Sequence, residues 1–312
     1  MNPVPWGYAL KNFFLFWRVN TMSNNHLRAI LLTALGIFIM SFESLLIKLT
    51  SISSLSYSFY IGIFMFFSMN LLLFKKEKKN FLSAYTSGFL IILLCGAFFG
   101  LSNIFFISAI KNTSVANTVM ILSASPLFSS IYAYVFYKEK STKNIYISSF
   151  FIFLGLFVIF YSQNQESTMI GNFYAFLCAN FFSLAFVFLS RYKKVNRLAV
   201  TSSSGFFTFF IALVFAQSLE INTDNLYILI LAGLLIAPAS RLLIAVGTKT
   251  LPASEISLLM IVETIMAPIW VWMFLNEVPA TNTFIGGGII LLTLVLNSLY
   301  LIRINKKSLT TL

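Results

Sequence analysis

The sequence predicts an all-α integral membrane protein with ten transmembrane helices, arranged as two inverted five-helix repeats. Three observations carry the prediction: composition, the spacing of apolar runs, and an internal repeat. Of 312 residues, 59% are hydrophobic and 10% charged, and mean hydropathy is +0.89. A soluble domain carries about a quarter charged residues, so there is too little polar material here to cover a water-facing surface. The apolar residues also fall in long runs, and a helix needs about 20 of them to cross a bilayer. Thirty-six Phe and 13 Tyr suit a surface that faces lipid.

Apolar runs occupy 28–47, 55–74, 86–110, 115–137, 144–161, 170–190, 199–217, 226–247, 253–275 and 283–302. The links between them are short and polar, so no second domain fits. The chain divides into an N-terminal cytoplasmic or interfacial extension (1–27), a first repeat (28–161), a second repeat (170–303) and a cytoplasmic tail (304–312). The extension, with Pro3, Pro5, Trp6 and Trp17, lacks the apolar core of a signal peptide. It reads as a segment lying on the membrane surface, or Met22 is the true start.

Charge placement sets the orientation. With the N-terminus cytoplasmic, Lys48 and Lys111 are the only basic residues outside, and Arg241 falls within a span. The other eighteen of the 21 Lys and Arg lie inside. Positive charge is retained on the cytoplasmic side of a membrane, so both termini are expected in the cytoplasm of a cell (inner) membrane protein.

The repeat appears as two ungapped matches at one constant offset. Lys111-Asn-Thr-Ser-Val-Ala-Asn117 aligns with Lys249-Thr-Leu-Pro-Ala-Ser-Glu255, and Tyr134-Val-Phe-Tyr-Lys-Glu139 with Trp272-Met-Phe-Leu-Asn-Glu277. Each copy is a polar link, a long span, a glutamate and another span. Five spans per copy is an odd number, so the second copy crosses the bilayer upside down. Inverted repeats are characteristic of secondary transporters, with the substrate site near the midplane between the halves.

Several function classes lack their raw material. The net charge of +12 is broken into short clusters between apolar runs, with no aromatic-basic face for nucleic acid. Cys95, Cys178 and His26 are the only cysteines and histidine, too few for a disulfide scaffold or a zinc site. The cysteines read as small packing residues, and no cofactor is expected. No Walker motif is present for direct use of ATP. An intramembrane enzyme, the reading from another class, would need a catalytic cluster, and Asp224 is an outer-loop residue.

In its link–span–Glu pattern, repeated across ten helices, the chain resembles the EamA family of the drug/metabolite transporter superfamily. Ala109-Ile-Lys-Asn-Thr-Ser-Val-Ala116 is similar to that family's link before its fourth helix. Glu139 and Glu277 match its Gly-Glu pairs, with Lys138 and Asn276 in place of glycine. Gly171-Asn-Phe-Tyr-Ala175 through Ser183-Leu-Ala-Phe186 to Arg191 resembles its sixth helix, whereas Glu263-Thr264 departs from a common Glu-Pro. The likeness covers 28–303. It implies proton-linked or facilitated export of small metabolites, amino acids or drugs.

Ionisable side chains inside a bilayer are costly and are default functional candidates. Here they are Glu43, Arg241, Glu255 and Glu263. At the repeat offset Arg241 corresponds to Asn103, Glu255 to Asn117 and Glu263 to Ser125, so polar positions match polar positions. Inversion puts Asn103 and Asn117 toward the outside, Arg241 and Glu255 toward the inside, and Ser125 and Glu263 near the midplane. Glu263 is a candidate for proton or substrate binding, or for a static ion pair with Arg241. Arg241 could take a substrate carboxylate bidentately, and Glu255 is either its partner or a helix-terminus charge. Glu43 is a candidate proton or cation site; Lys48, five residues on, is poorly placed to pair with it.

Glu139 and Glu277 read as structural, each favouring the N-terminus of the following helix. Pro126, Pro238 and Pro268 interrupt the fourth, eighth and ninth spans, and Gly286-Gly-Gly288 suits close packing. Trp270, Trp272, Tyr132 and Tyr134 could line a cavity for a planar substrate or contact lipid. The leading expectation is a secondary-active exporter of a small metabolite such as an amino acid or amine, working by alternating access, with protons as a candidate co-substrate. Alternatives within the fold are a facilitative or uptake carrier and a drug efflux pump. The partners are then the substrate, protons and the lipid bilayer, for a monomer or homodimer that does not bind nucleic acid.

Overall fold

The structure, a computed structural model, describes residues 22–138, 143–161, 168–192, 194–219, 221, 223–251 and 259–310. Among these residues every regular element is helical. The first half contains α1 (Met22–Met40), α2 (Phe42–Leu49), α3 (Ser54–Glu77), α4 (Phe81–Thr86), α5 (Phe89–Asn112), α6 (Val115–Leu122), α7 (Ser125–Tyr137) and α8 (Lys143–Tyr161). The second contains α9 (Met169–Arg191), α10 (Arg197–Phe215), α11 (Thr223–Ile230), α12 (Ala237–Thr250), α13 (Ile261–Leu275) and α14 (Thr281–Thr310).

Seven stretches are long and apolar enough to cross a bilayer: Leu27–Leu49, Ser54–Thr86, Phe89–Asn112, Val115–Tyr137, Met169–Arg191, Arg197–Phe215 and Asn225–Ile244. Three shorter apolar helices, Ile147–Tyr161, Ile261–Leu275 and Thr281–Asn297, occupy the runs expected as spans five, nine and ten. Their outward faces remain apolar; Phe150, Phe157, Phe274 and Phe284 are all exposed. Exposed aromatic surface of this extent needs lipid beside it.

Local chemistry explains where the helices start and stop. Ser53, Ser114 and Thr168 cap α3, α6 and α9 by accepting backbone N–H bonds from Ser56, Asn117 and Gly171. Helices α7 and α13 end alike: Lys138 (φ 55°) and Asn276 (φ 56°) both adopt the left-handed conformation. Their N–H groups return to Tyr134 and Trp272. These two positions are counterparts at the repeat offset, so the repeat is present in backbone geometry as well as in sequence. A left-handed C-terminal residue is the reason glycine suits this place.

The most extensive helix contacts join the two halves: α3 with α10, α5 with α9, α8 with α14, and α1 with α12. All four of these contacts require the absence of a Cβ on at least one glycine. A Cβ on Gly62 would lie 2.5 Å from the Phe209 nitrogen, and one on Gly286 would lie 2.5 Å from the Gly155 oxygen. The run Gly286-Gly-Gly288 is only partly a packing device, since a Cβ on Gly288 would meet nothing within 4 Å. Cys95 and Cys178 are buried and free, and both contact the α5–α9 interface. Cys95 donates to the Ala185 oxygen, and Ser102 donates to the Cys178 oxygen at 3.1 Å.

Four helical runs are interrupted. Helices α1 and α2 are separated by a turn at Ser41, and α6 and α7 by Ser123 and Ala124, just before Pro126. A turn at Met260 precedes α13, and a π-helical segment, Leu231–Ile236, separates α11 from α12. Irregular backbone at membrane depth is tolerated where it is buried in protein or lines a cavity. Three of the four interruptions lie beside the ionisable residues.

Candidate functional site

Glu43 and Arg241 line one small cavity between the halves. Its walls are Glu43 and Ile47 of α2, Tyr57, Ile61 and Met65 of α3, and Asn103, Phe106 and Ile107 of α5. Ala232 of the π segment, with Ala237 and Arg241 of α12, completes it. About 30 Å³ is open to the centre of a water molecule, room for two or three waters. Asn103 and Arg241 are repeat counterparts and line the same cavity. A position and its symmetry mate can share a small cavity only near the axis that relates the halves.

Arg241 and Glu43 form a fork-to-fork pair. Arg241 Nη1 donates to Glu43 Oε1, and Nη2 donates to Oε2 at 3.2 Å. The two side chains are 24% and 15% exposed, so the pair is shielded but wetted. Arg241 Nη1 also donates to Ser240 Oγ at 3.1 Å. Asn103 keeps spare capacity, since its Nδ2 reaches Thr208 Oγ1 only at 3.5 Å, the long limit of a hydrogen bond.

Of the alternatives for Glu263, the static pair with Arg241 is not formed, because Arg241 pairs with Glu43 instead, and the reason is local. The expectation assumed regular α geometry along the eighth span. A π segment carries an extra residue in the turn, which rotates later side chains by about 100° relative to a regular helix. The turn at Ser41 likewise re-aims α2, so that Glu43 meets the guanidinium. Glu263 is 5% exposed, and among the described residues no hydrogen bond or ion pair reaches its carboxylate. The charges near enough to act on it are Glu43 and Arg241. The pair and the lone carboxylate thus form one electrostatic unit.

The remaining candidates separate from this unit. Glu255 and Glu139 lie outside the described residues. Asn117, fully buried, belongs to a polar knot: its Nδ2 donates to Asn172 Oδ1 at 3.2 Å, and its Oδ1 accepts from the Thr283 hydroxyl. Thr113 donates to the same Asn172 oxygen at 2.8 Å. The knot joins α6, α9 and α14 and engages both the amide nitrogen and the amide oxygen of Asn117. The Ser125 hydroxyl bonds back to the Leu122 oxygen at the α6–α7 break, and its carbonyl accepts from Ser183 at 2.8 Å. Both serve the break, away from the cavity.

Trp270 does not line the cavity. Its Nε1 donates to Ser41 Oγ at 2.9 Å, and its ring stacks on Phe42 at 4.5 Å and 18°. Trp272 and Tyr134 face outward and are exposed, while Tyr132 donates to Asn180 Oδ1 at 2.6 Å. Sequence reasoning missed Ser41, Phe42 and Tyr57; a serine and a phenol within apolar runs were the only signals for them.

Glu277 is structural, but not as expected. Its Oε1 accepts the Val115 N–H at 2.7 Å, at the N-terminus of α6 in the other half, and its Oε2 pairs with Lys48 Nζ at 2.9 Å. Lys111 closes the same layer by donating to Thr50 Oγ1 at 2.9 Å. Lys48 is five residues beyond Glu43, so the Glu43–Arg241 pair lies about 7.5 Å deeper than this layer.

Comparison with known proteins agrees with this architecture. The profile of the EamA-like transporter family matches twice, over residues 27–161 and 169–299. Its two copies coincide with the two halves defined by the repeat. "Uncharacterized transporter YdfC" of Bacillus subtilis (strain 168) is 26% identical over 184 residues, covering 57% of this chain and 60% of that relative. The chain thus matches about three fifths of the curated relative's length. A solved structure titled "Crystal structure of protein" superposes with a TM-score of 0.63 at 14% identity, covering 88% of this chain and 98% of the other. That likeness is one of fold. The doubled match spans most of the sequence, and the chain belongs to the EamA-like transporter family.

Proposed function

We propose that this protein is a secondary-active carrier of ten spans with both termini cytoplasmic, exporting a small zwitterionic metabolite of the amino-acid type across the cell membrane. The observation that carries the reading is the Glu43–Arg241 pair, placed between the halves in a cavity that also holds the counterpart of Arg241. A carboxylate-bearing substrate can take the guanidinium from Glu43 in the same bidentate geometry. Its ammonium then finds the released Glu43 carboxylate. Ile61, Met65, Phe106 and Ile107 supply an apolar wall for the side chain. A phosphorylated substrate would need more than one cation, and among the described residues Arg241 is the sole basic residue on this cavity's wall.

Glu263 is the candidate coupling site. Its carboxylate is buried without a hydrogen-bond partner among the described residues, and it senses both members of the pair. Opening the pair alters the charge facing Glu263, which links substrate exchange to proton exchange.

The test is uptake of a panel of amino acids and amines into proteoliposomes, with and without a proton gradient. Arg241→Gln is expected to abolish transport of carboxylate-bearing substrates, and Glu263→Gln to abolish gradient dependence while leaving exchange. Carboxylate-bearing transport that survives Arg241→Gln unchanged refutes the binding role. Gradient dependence that survives Glu263→Gln moves the coupling site to Glu43.

A further inference from the structure

The first span does not present Glu43 to Arg241 unaided. Two residues earlier the helix is interrupted at Ser41, which is fully buried. The Ser41 hydroxyl donates to the Phe38 oxygen at 2.6 Å, a back-bond that bends helices. The same hydroxyl accepts the Trp270 indole N–H at 2.9 Å. Beside it, the Trp270 ring stacks on Phe42 and meets Phe38 edge-on at 5.7 Å. Phe38 and Phe42 meet each other edge-on, also at 5.7 Å. One side chain from the opposite half thus contacts Phe38, Ser41 and Phe42, the residues around the break.

That side chain shares its helix with the buried carboxylate. Glu263, Ala267 and Trp270 are spaced i, i+4, i+7 along α13, a single helical face. Glu263 and Ala267 are both buried. Pro268 lies between the acid and the indole and removes one backbone hydrogen bond there, so the two parts of α13 can bend relative to each other.

We propose that Trp270 is a positioning residue: by gripping Ser41 and Phe42 it holds the break in the first span that aims Glu43 at Arg241. The second half thereby sets the strength of an ion pair whose carboxylate belongs to the first half. The inference rests on the pair being functional, as argued above, but its test needs no substrate.

The experiment is a set of double-mutant cycles read as thermal unfolding of the purified full-length protein in detergent. Trp270→Phe keeps a ring for stacking and removes the donor. It is expected to lower the midpoint by roughly 2–4 °C in the native background, and most of that loss should disappear when Glu43→Gln is already present. Ser41→Ala should reproduce the pattern, whereas Ser41→Thr, which keeps an acceptor but adds a methyl at a fully buried position, should lose stability while keeping the coupling to Glu43→Gln. A merely structural tryptophan gives losses that add in full to those of Glu43→Gln, and that result overturns the proposal. A parallel cycle of Glu43→Gln with Arg241→Gln separates the two ideas. Additive losses there show that the pair itself is uncoupled and sink the functional reading, while coupling there beside additivity for Trp270 sinks only the positioning role. Should Trp270→Phe fail to fold, the Ser41 variants carry the same cycle.

Discussion

Replacing Glu277 by glutamine separates the two jobs its carboxylate performs. The glutamine amide oxygen can still accept the Val115 N–H, held at 2.7 Å in the native protein, but the charge facing Lys48 at 2.9 Å is lost. A hydrogen bond to a charged group contributes about 1.5–3 kcal/mol when buried. The Lys48 side chain is 20% exposed and can turn toward water, which brings the expected loss down to about 1–2 kcal/mol. Glu277→Ala removes both bonds and also orphans the Val115 N–H at the start of α6, which costs about 1–3 kcal/mol more. At about 1.5 °C per kcal/mol for a chain of this size, the glutamine variant should melt a few degrees low and the alanine variant clearly lower still. The assay is thermal unfolding in detergent, with Lys48→Met as the second arm of a cycle. Lys48→Met should cost about as much as Glu277→Gln, and the double variant little more than either alone. Equal midpoints for the glutamine and alanine variants would refute the claim that this carboxylate caps a helix in the opposite half.

Two further outcomes follow from backbone geometry. Asn276→Gly should stabilise by about 0.5–1 kcal/mol, because a side chain in the left-handed region carries a penalty that glycine avoids. Lys138→Gly should gain at least as much, since lysine tolerates the left-handed region less well than asparagine, minus the contact of Lys138 Nζ with the Tyr134 ring at 5.8 Å; urea or thermal unfolding checks both. Gly62→Ala should destabilise by about 1–3 kcal/mol, because the new methyl would meet Phe209 backbone that cannot turn aside. Gly288→Ala, with open space around it, should be neutral or slightly stabilising, and a native midpoint for Gly62→Ala would refute the α3–α10 contact.

Much of the architecture was legible because it rests on one-dimensional quantities. Membrane burial depends on the length and polarity of contiguous runs, and bilayer thickness imposes the same length on each. The duplication was legible because Lys111 to Asn117 and Tyr134 to Glu139 recur at a constant offset, later matched by the paired left-handed ends at Lys138 and Asn276. Arg241, Glu43 and Glu263 could be picked out individually, since an ionisable group inside an apolar run is expensive wherever it points.

The partners among those groups belonged to the tertiary structure. Arg241 meets Glu43 from the opposite half of the chain, and helix periodicity could not reveal it, because a π segment and a serine turn alter the register on both sides. Glu277 pointed to a helix N-terminus from its position alone, yet the terminus it serves is that of α6, brought to it by the packing of the halves. Trp270 on α13 and Ser41 at the α1–α2 break lie far apart in the chain, and the local back-bond of Ser41 to Phe38 does not point to the indole. The sequence by itself determined a membrane-embedded, duplicated helical chain with charges placed at depth, because hydrophobic partition acts on each run separately. Tertiary structure alone decided which charge faces which, because hydrogen bonds and ion pairs are satisfied at distances of about 3 Å, a scale fixed only once the helices have packed.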